Sequence, residues 1–257
     1  MILEATGLAR RFGGVTAVAG VDLSVAEGEL VGLIGPNGSG KTTLIDLVSG
    51  FQRPDQGEVR FAGQVVTGWR PHRLAARGLA RTFQRVRLFP ALSVVDNVVL
   101  GMHTAAAGGE IGRLLGLPAA RQRDAGQAAA ARALLDRVGL TGMADRPASA
   151  LAYGQQRRLE IARAAAAVPR LMLLDEPVAG MNPSEVARLS ELFLALNTEG
   201  LAIVLVEHHL KLVVEICSRV VVLDEGRKIA EGPPRTVMGD PVVAEAYLGS
   251  AGAEEVL

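Results

Sequence analysis

The stretch Gly35-Pro36-Asn37-Gly38-Ser39-Gly40-Lys41-Thr42 decides the fold of this chain. The apolar run Leu30–Ile34 before it predicts a buried parallel strand, and Thr42–Ser49 after it alternates like the start of a helix. A glycine-rich loop between a strand and a helix is typical of a phosphate-binding loop. The alternative is a glycine-rich surface turn, which would need neither a buried strand before it nor a helix after it.

The residue types of this loop suit an anion. The glycines let successive backbone N–H groups turn toward a phosphate, and the helix N-terminus adds its partial positive charge. Lys41 is positioned to reach the outer phosphates, and the Thr42 hydroxyl is a ligand for Mg²⁺. Lysine occurs elsewhere only at positions 211 and 228, so Lys41 stands out in an arginine-rich chain. The predicted nucleotide ligands are Gly35, Pro36, Asn37, Gly38, Ser39, Gly40, Lys41, Thr42 and Thr43.

Composition narrows the class of protein. The chain has 257 residues, of which 49% are hydrophobic and 21% charged, as in an ordinary globular protein. Basic and acidic residues balance at 27 each, so no global basic field indicates nucleic acid as a partner. The single cysteine, Cys217, excludes an intrachain disulfide and favours a reducing, cytoplasmic setting. Apolar windows such as Leu201–Val206 are far shorter than the roughly 18 residues of a spanning helix, so we expect membrane association through a partner.

The chain divides into three stretches. Short alternating segments before the loop, together with a later one, predict an antiparallel layer that feeds the loop strand; they are Ile2–Leu8, Val21–Val25, Leu30–Ile34 and Glu58–Phe61. From about Leu88 to Val168 the pattern is helical and alanine-rich, with a glycine-containing loop over 104–123 and a helix over Asp124–Val138. Buried strands then return, alternating with helices that begin near Asn182 and His209. This alternation predicts a parallel sheet, and residues 251–257 a tail.

Two adjacent carboxylates end the apolar strand Leu171–Leu174. Ligands of α/β sheets bind at the carboxyl ends of the strands, which is where Asp175 and Glu176 lie. Asp175 is predicted to hold Mg²⁺ through water, and Glu176 to polarise the water that attacks the γ-phosphate. Taken alone, such a strand end is more often only solvated. The phosphate loop favours the functional interpretation.

The segment Leu151-Ala152-Tyr153-Gly154-Gln155 opens a predicted helix. Here the chain resembles the ATP-binding cassette (ABC) family, whose signature reads Leu-Ser-Gly-Gly-Gln at the head of a long helix. Leu151, Gly154 and Gln155 match, whereas Ala152 lacks the hydroxyl that the family directs to the γ-phosphate, and Tyr153 also departs. Backbone donors at the helix N-terminus could still bind the anion. The resemblance implies ATP and Mg²⁺ as cofactors.

Further positions match the family one at a time. Gln84 resembles the glutamine that senses Mg²⁺ and the γ-phosphate, and His208 the switch histidine, with His209 expected to face elsewhere. Alone, either residue would more often be structural. Phe12 and Val18 match the aromatic residue that stacks on adenine and its apolar neighbour, although core packing also accounts for Phe12. Asn182 stands where the family has an acid that communicates across the dimer.

The resemblance implies the fold class and a division of the chain. The fold is α/β: a mostly parallel phosphate-loop (RecA-like) sheet core with an N-terminal antiparallel β layer and an α-helical subdomain. Residues 1–250 are expected to form one ATPase domain, in which 1–87 hold the antiparallel layer and the phosphate loop. Residues 88–168 would form the helical subdomain with the signature, and 169–250 the rest of the core with a C-terminal helix. The resemblance also implies a catalytic set of Glu176, His208 and Gln84, and it implies Thr42, Gln84 and Asp175 as metal ligands.

Within the family, several runs are similar to the ATP-binding subunits of bacterial branched-chain amino-acid importers: Arg81–Phe89, Tyr153–Glu160, Glu207–Leu210 and Ala246–Gly249. Lipopolysaccharide-export and urea-import ATPases share parts of this pattern and stay open. A soluble cassette protein acting on ribosomes or DNA is a further alternative. Such proteins usually have two cassettes, long coiled-coil insertions or a basic patch, whereas this sequence has one phosphate loop, no sustained heptads and no net charge.

The importer interpretation implies a set of partners and a location. These are integral-membrane permeases, a second ABC ATPase subunit in a homo- or heterodimer, indirectly a solute-binding protein, and no nucleic acid, at the cytoplasmic face of the bacterial inner membrane. The segment Arg85–Asn97 mixes arginines with Val86, Leu88, Phe89 and Leu92, which is typical of a docking groove for a permease helix. A core turn is the alternative.

Overall fold

The architecture consists of two sheets with helices around them, seen in a computed structural model that describes residues 1–102 and 118–250. The strands of the larger sheet are β3 (Leu30–Ile34), β6 (Leu79–Arg81), β7 (Leu171–Asp175), β8 (Ala202–Val206), β9 (Arg219–Asp224) and β10 (Arg227–Gly232). Their order in the sheet is β10-β9-β3-β8-β7-β6, and all pairs are parallel except β10 with β9. Every residue of β3, β7 and β8 is buried, because layers cover both faces of a parallel sheet.

The second sheet is antiparallel, with the order β2-β1-β4-β5. Its strands are β1 (Leu3–Phe12), β2 (Val15–Val25), β4 (Gln56–Phe61) and β5 (Gln64–Val65). The predicted layer therefore exists, but two details were wrong. The first two strands are longer than Ile2–Leu8 and Val21–Val25, because β-bulges let their pairing continue past irregular positions. Leu30–Ile34 is not part of this layer: it is the buried parallel strand predicted from its place before the phosphate loop, and it pairs with β8 and β9.

The helices pack on the two faces of the parallel sheet. Their bounds are Lys41–Val48, Pro71–Ala75, Val94–Met102, Pro118–Arg137, Tyr153–Ala165, Pro183–Thr198, Leu210–Ile216, Pro234–Met238 and Pro241–Ser250. The helix predicted over Asp124–Val138 begins earlier, at Pro118, where the fixed φ of proline suits a first helical position. The rest of the predicted loop, 104–117, and the tail 251–257 lie outside the described residues, and the division at 87 and 168 stays a prediction.

Two hydrophobic cores lie on opposite faces of the parallel sheet. Val31 and Leu33 of β3 pack toward the antiparallel layer, whereas Leu30 and Ile34 pack toward the helices. Strand β3 therefore alternates between the cores. This double anchoring holds the carboxyl end of β3, from which the phosphate loop leaves, in a defined position.

Candidate functional site

The phosphate loop is held against two neighbouring strands. A Cβ at Gly35 would lie 2.0 Å from the carbonyl oxygen of Leu223, and a Cβ at Gly40 would lie 2.3 Å from that of Ala17. Both glycines also have positive φ, 145° and 100°, so no other residue type fits either position without strain. Gly226 donates its N–H to the Ser39 carbonyl at 3.0 Å and joins the loop to the β9–β10 turn.

Lys41 opens the helix Lys41–Val48 with its ammonium group inside the loop. The Nζ atom donates to the carbonyl oxygens of Gly35 at 2.7 Å and Pro36 at 2.8 Å. Burial lowers the pKa of Lys41 from 10.5, while the charges of Glu176 and Asp175 oppose that shift. Because phosphate carries a full negative charge and a carbonyl oxygen does not, an incoming phosphate is expected to draw the ammonium from its carbonyl partners.

Asp175 ends β7 beside a buried arginine. Arg81 donates to Asp175 Oδ2 at 3.3 Å and to Asp46 Oδ1 at 2.6 Å. Its guanidinium also lies 5.1 and 5.0 Å from the ring centroids of Phe51 and Phe83. Burial raises the pKa of Asp175 from 3.8, and the Arg81 charge partly opposes this shift. Residue pattern alone gave no sign of the Arg81 ion pair.

Glu176 is the point at which the three predicted catalytic side chains meet. Gln84 Nε2 donates to Glu176 Oε2 at 3.0 Å, and His208 Nε2 lies 2.9 Å from Glu176 Oε1. Glu176 has a φ of 47°, which is uncommon for a non-glycine residue and typical of functional positions. The carboxylate is thus held between an amide and an imidazole.

Glu207 is a further site residue, which sequence reasoning did not single out. It is buried, and its carboxylate accepts from the backbone N–H groups of Val178 at 3.1 Å and His208 at 3.2 Å. Burial raises the pKa of Glu207, and these hydrogen bonds oppose the shift. His209 does face elsewhere, since its Nδ1 accepts from Leu212 N–H at 3.2 Å and caps the helix Leu210–Ile216. The sequence signal for Glu207 was its position directly after the fully buried strand Ala202–Val206.

The signature segment opens the helix Tyr153–Ala165, called the signature helix below. Gln155 Oε1 accepts from the Ala152 N–H at 3.0 Å. Ala152 has no side-chain oxygen, so it cannot accept the reciprocal hydrogen bond of a capping box. Gly154 is buried against Glu185, whose Oε1 would lie 2.4 Å from an added Cβ. Across the described ranges, no hydrogen bond joins Leu151–Gln155 to the phosphate loop of the same chain.

The two residues predicted to contact adenine differ in exposure. Phe12 is 45% exposed at the end of β1, with the Arg10 guanidinium 5.0 Å from its ring centroid, so it does not pack in a core. Val18 is fully buried in this chain, and its place beside the adenine stays a prediction. It lies on the inward face of β2, because alternate residues of a strand point to opposite faces.

Asn182 caps the helix Pro183–Thr198. Its Oδ1 accepts from Glu185 N–H at 3.0 Å, and Glu185 Oε2 accepts from Asn182 N–H at 3.1 Å. The Asn182 side chain therefore has a local structural role, as the N-cap of this helix.

The C-terminal helix also reaches the loop. Burial raises the pKa of Tyr247 to about 12, and the neighbouring backbone of Gly35 opposes this shift.

The donor set suits Mg²⁺ bound together with a phosphate. The described residues contain no group of three or more His, Cys, Asp or Glu that could hold a metal ion by itself. Thr42, Gln84 and Asp175 offer a hydroxyl, an amide and a carboxylate, and Mg²⁺ in phosphate-transfer sites uses few protein ligands with substrate phosphates.

Comparison with known proteins identifies the family. The ABC transporter family profile matches residues 18–179. The chain belongs to the ABC transporter ATPases. A second profile, described as branched-chain amino acid ATP-binding cassette transporter, matches residues 227–253. No helix in the described part of this ABC ATPase has the length and apolarity needed to cross a membrane.

Individual relatives match over nearly their full length. The chain is 43% identical to the high-affinity branched-chain amino acid transport ATP-binding protein BraF of Pseudomonas aeruginosa, covering 97% of this chain and 98% of BraF. It is 41% identical to the corresponding protein LivG of Escherichia coli, with the same coverage. Among solved structures, the ADP conformation of MJ1267, an ATP-binding cassette of an ABC transporter, superposes with a TM-score of 0.83 at 31% identity, covering 96% of this chain and 98% of MJ1267.

A dimeric relative is also similar. The post-hydrolysis dimer of the ATP-binding cassette MJ0796, bound to ADP and phosphate, gives a TM-score of 0.77 at 25% identity over 91% of this chain and 99% of MJ0796. The predicted family, the α/β fold class and the ATPase activity are therefore confirmed.

Proposed function

We propose that this ABC ATPase energises an importer of branched-chain amino acids. The observation that carries the proposal is the full-length identity to BraF and LivG, together with the C-terminal match over residues 227–253. The lipopolysaccharide export protein LptB of Acidithiobacillus ferridurans is less similar, at 34% identity over 96% of this chain.

The site geometry supports a role for each loop and strand-end residue. The N–H groups of Gly38–Thr43 and the Lys41 ammonium bind the phosphates of ATP. Thr42, Gln84 and Asp175 would hold Mg²⁺, which neutralises charge on the outer phosphates when bound. Phe12 is exposed and offers a ring to the adenine.

Glu176 is proposed to activate the attacking water. Its carboxylate orients the water and accepts its proton, while Gln84 and His208 hold that carboxylate in place. His208, which is partly exposed, can redirect its Nε2 toward the γ-phosphate when nucleotide binds. The amide of Gln84 can likewise exchange its contact with Glu176 for the metal.

A second ATPase subunit is proposed to complete each ATP site. The signature helix has no side-chain cap at Ala152, so its first N–H groups are available to an anion. Since this segment makes no hydrogen bond to the loop of its own chain within the described residues, the phosphate would come from the partner's ATP. The partner is another copy or a similar subunit.

The proposed membrane partner is a pair of permeases at the cytoplasmic face of the inner membrane, supplied by a solute-binding protein. A cavity of about 360 Å³ opens beside the segment Arg85–Asn97, lined among others by Phe83, Phe89 and Leu100. Phe89 is 51% exposed, and its backbone is held by two hydrogen bonds with the buried Asn97, of 2.9 and 3.0 Å. A rigid exposed aromatic residue suits docking of a permease helix. No role for nucleic acid is proposed.

Reconstitution tests this proposal. The chain is co-expressed with permeases of a branched-chain amino-acid importer, and the purified assembly is placed in liposomes that contain ATP. Uptake of radiolabelled leucine is measured with the solute-binding protein outside. We expect ATP-dependent uptake, which the Lys41→Ala variant lacks. Uptake of urea in place of leucine, or an assembly that moves lipopolysaccharide, would overturn the assignment of solute.

A further inference from the structure

Arg157 is a large, fully buried side chain whose guanidinium joins two separate segments. On one side it donates to the backbone carbonyl oxygens of Phe83, at 2.5 Å, and Gln84. On the other side its Nε donates to the Tyr153 hydroxyl at 3.2 Å. The Arg157 side chain is 1% exposed, so its guanidinium depends on these protein acceptors.

The carboxylate of Glu160 fixes this arrangement. Glu160 Oε2 accepts from Arg157 at 3.2 Å, and Glu160 Oε1 accepts from the Arg87 N–H at 3.0 Å. Glu160 is also buried, at 2% exposure, so each charge depends on the other. The signature helix is therefore attached to the segment 83–87 at three backbone positions.

The two ends of this connection belong to different ATP sites. Gln84 contacts Glu176 in the ATP site of its own chain. Tyr153 lies in the signature segment, which in the proposed dimer completes the ATP site of the partner, and it is 46% exposed. Movement of the Gln84 backbone toward a bound γ-phosphate displaces two acceptors of the Arg157 guanidinium. Because the guanidinium is planar and its donors form a rigid fork, the displacement reaches Tyr153.

We propose that Arg157 is a positioning residue that couples the γ-phosphate sensor Gln84 of one ATP site to the signature residue Tyr153 of the other. The inference rests on the proposed dimer, in which the signature completes the partner's site. It assigns a use to Tyr153, one of the two positions that depart from the family signature. The coupling runs inside one chain, so it can be measured in a monomer.

Hydrogen–deuterium exchange of the full chain tests the coupling. The measurement is made with and without Mg²⁺ and ATP, at a concentration where light scattering shows a monomer, so that no partner contributes. In the unaltered chain we expect ATP to slow exchange in both 83–87 and 153–157. In Arg157→Lys and in Tyr153→Phe, the effect at 83–87 should persist while the effect at 153–157 is lost. A point-like ammonium cannot satisfy these dispersed acceptors, and phenylalanine removes one of them.

The neighbouring Arg158 provides a matched control. It is also buried on the signature helix, but it donates to the Val138 carbonyl at 2.7 Å and not to the sensor segment. Arg158→Lys should therefore lower the thermal midpoint while leaving the ATP effect at 153–157 unchanged. A purely structural role for Arg157 would give the same pattern in both lysine variants.

Two results would overturn the coupling. The first is an unaltered chain in which ATP slows exchange at 83–87 but not at 153–157. The second is an ATP effect at 153–157 that survives in both Arg157→Lys and Tyr153→Phe. Binding of a fluorescent ATP analogue is measured in parallel, since its absence would contradict the proposed nucleotide site itself, whereas normal binding with uncoupled segments contradicts only this inference.

Discussion

At the residue scale, Glu176 is the side chain on which turnover depends. We expect Glu176→Gln to bind ATP with unchanged affinity and to lose at least about a hundredfold in kcat, since an amide can orient water but cannot accept its proton. Size-exclusion chromatography should show an ATP-dependent dimer of this variant. Its control is Glu215→Gln, an exposed carboxylate on the helix Leu210–Ile216, which should retain turnover. A Glu176→Gln variant that binds ATP yet hydrolyses it normally would remove Glu176 from the proposed mechanism.

Two shifted pKa values at the site predict the pH dependence of kcat/KM. Burial raises the pKa of Asp175 above 3.8, so activity should begin to fall at a higher pH than an ordinary aspartate would give as the solution is acidified. Burial lowers the pKa of Lys41 below 10.5, so activity should fall at a lower pH than an ordinary lysine would give on the alkaline side. Both groups act in their charged forms, and kcat/KM reports the free enzyme.

A substitution of Arg81 should move the acid limb of the pH–rate profile and leave the alkaline limb in place. Its charge lowers the pKa of Asp175 against the larger effect of burial, so Arg81→Gln should move the acid limb to higher pH. The alkaline limb should stay where it is, because the Lys41 pKa depends on burial, Glu176 and Asp175. Rate profiles of both proteins measure the shift, with circular dichroism to verify folding. An acid limb that stays in place or moves to lower pH contradicts the assignment to Asp175.

At the element scale, the signature helix packs closely on the first turn of the helix Pro183–Thr198. A Cβ at Gly154 would lie 2.4 Å from Glu185 Oε1, and the same carboxylate completes the capping box with Asn182. The substitution Gly154→Glu, an obvious way to block the trans phosphate, would therefore place a carboxylate against Glu185 of its own chain. Loss of activity in that variant would not report on the partner's ATP.

A double-mutant cycle tests this packing. Gly154→Ala alone should cost about 1 kcal/mol of unfolding free energy, because Glu185 must leave its cap. In the Glu185→Ala background the same change should be neutral or stabilising, since alanine favours a helix over glycine once the clash is gone. Urea unfolding midpoints of the four proteins measure the coupling. Equal costs in both backgrounds would show that the two helices do not meet at Gly154.

At the scale of the whole molecule, the groove beside Phe89 is the proposed link to the membrane. Arg87 lies with its guanidinium 3.8 Å from the Phe83 ring centroid, so changing Arg87 would disturb the sensor segment as well as the groove. Phe89→Ala alone therefore isolates docking. We expect it to keep ATP hydrolysis by the isolated chain and to lose most ATP-dependent uptake in liposomes, because a docked helix loses its aromatic anchor.

The matched control for Phe89→Ala is Leu194→Ala on the helix Pro183–Thr198, where the side chain is also exposed, at 42%. It should leave both hydrolysis and uptake unchanged. A cysteine at position 89, with Cys217 first replaced, should form ATP-sensitive cross-links to a permease in membranes. Normal assembly and uptake by Phe89→Ala would place the coupling surface elsewhere.

The amino-acid sequence by itself determined those features that lie within short, contiguous segments of the chain. The phosphate loop lies between a buried strand and a helix, the strand Leu171–Leu174 leads directly to Asp175 and Glu176, and the signature opens its own helix. Each is a contiguous run in which residue order, periodicity and glycine placement carry the chemistry. These runs were enough to give the family, the α/β architecture and the ATPase activity.

Only the tertiary structure decided which distant residues meet. Gln84 and His208 reach Glu176 from 92 and 32 residues away, because the order β3-β8-β7-β6 places their strand ends side by side. The burial of Val18 likewise depends on which face of β2 the core covers. The bonds of Arg157 to Tyr153 and Gln84 follow no sequence period. Such contacts form when burial forces a polar group to find partners wherever the packing brings them, and no local pattern records that choice.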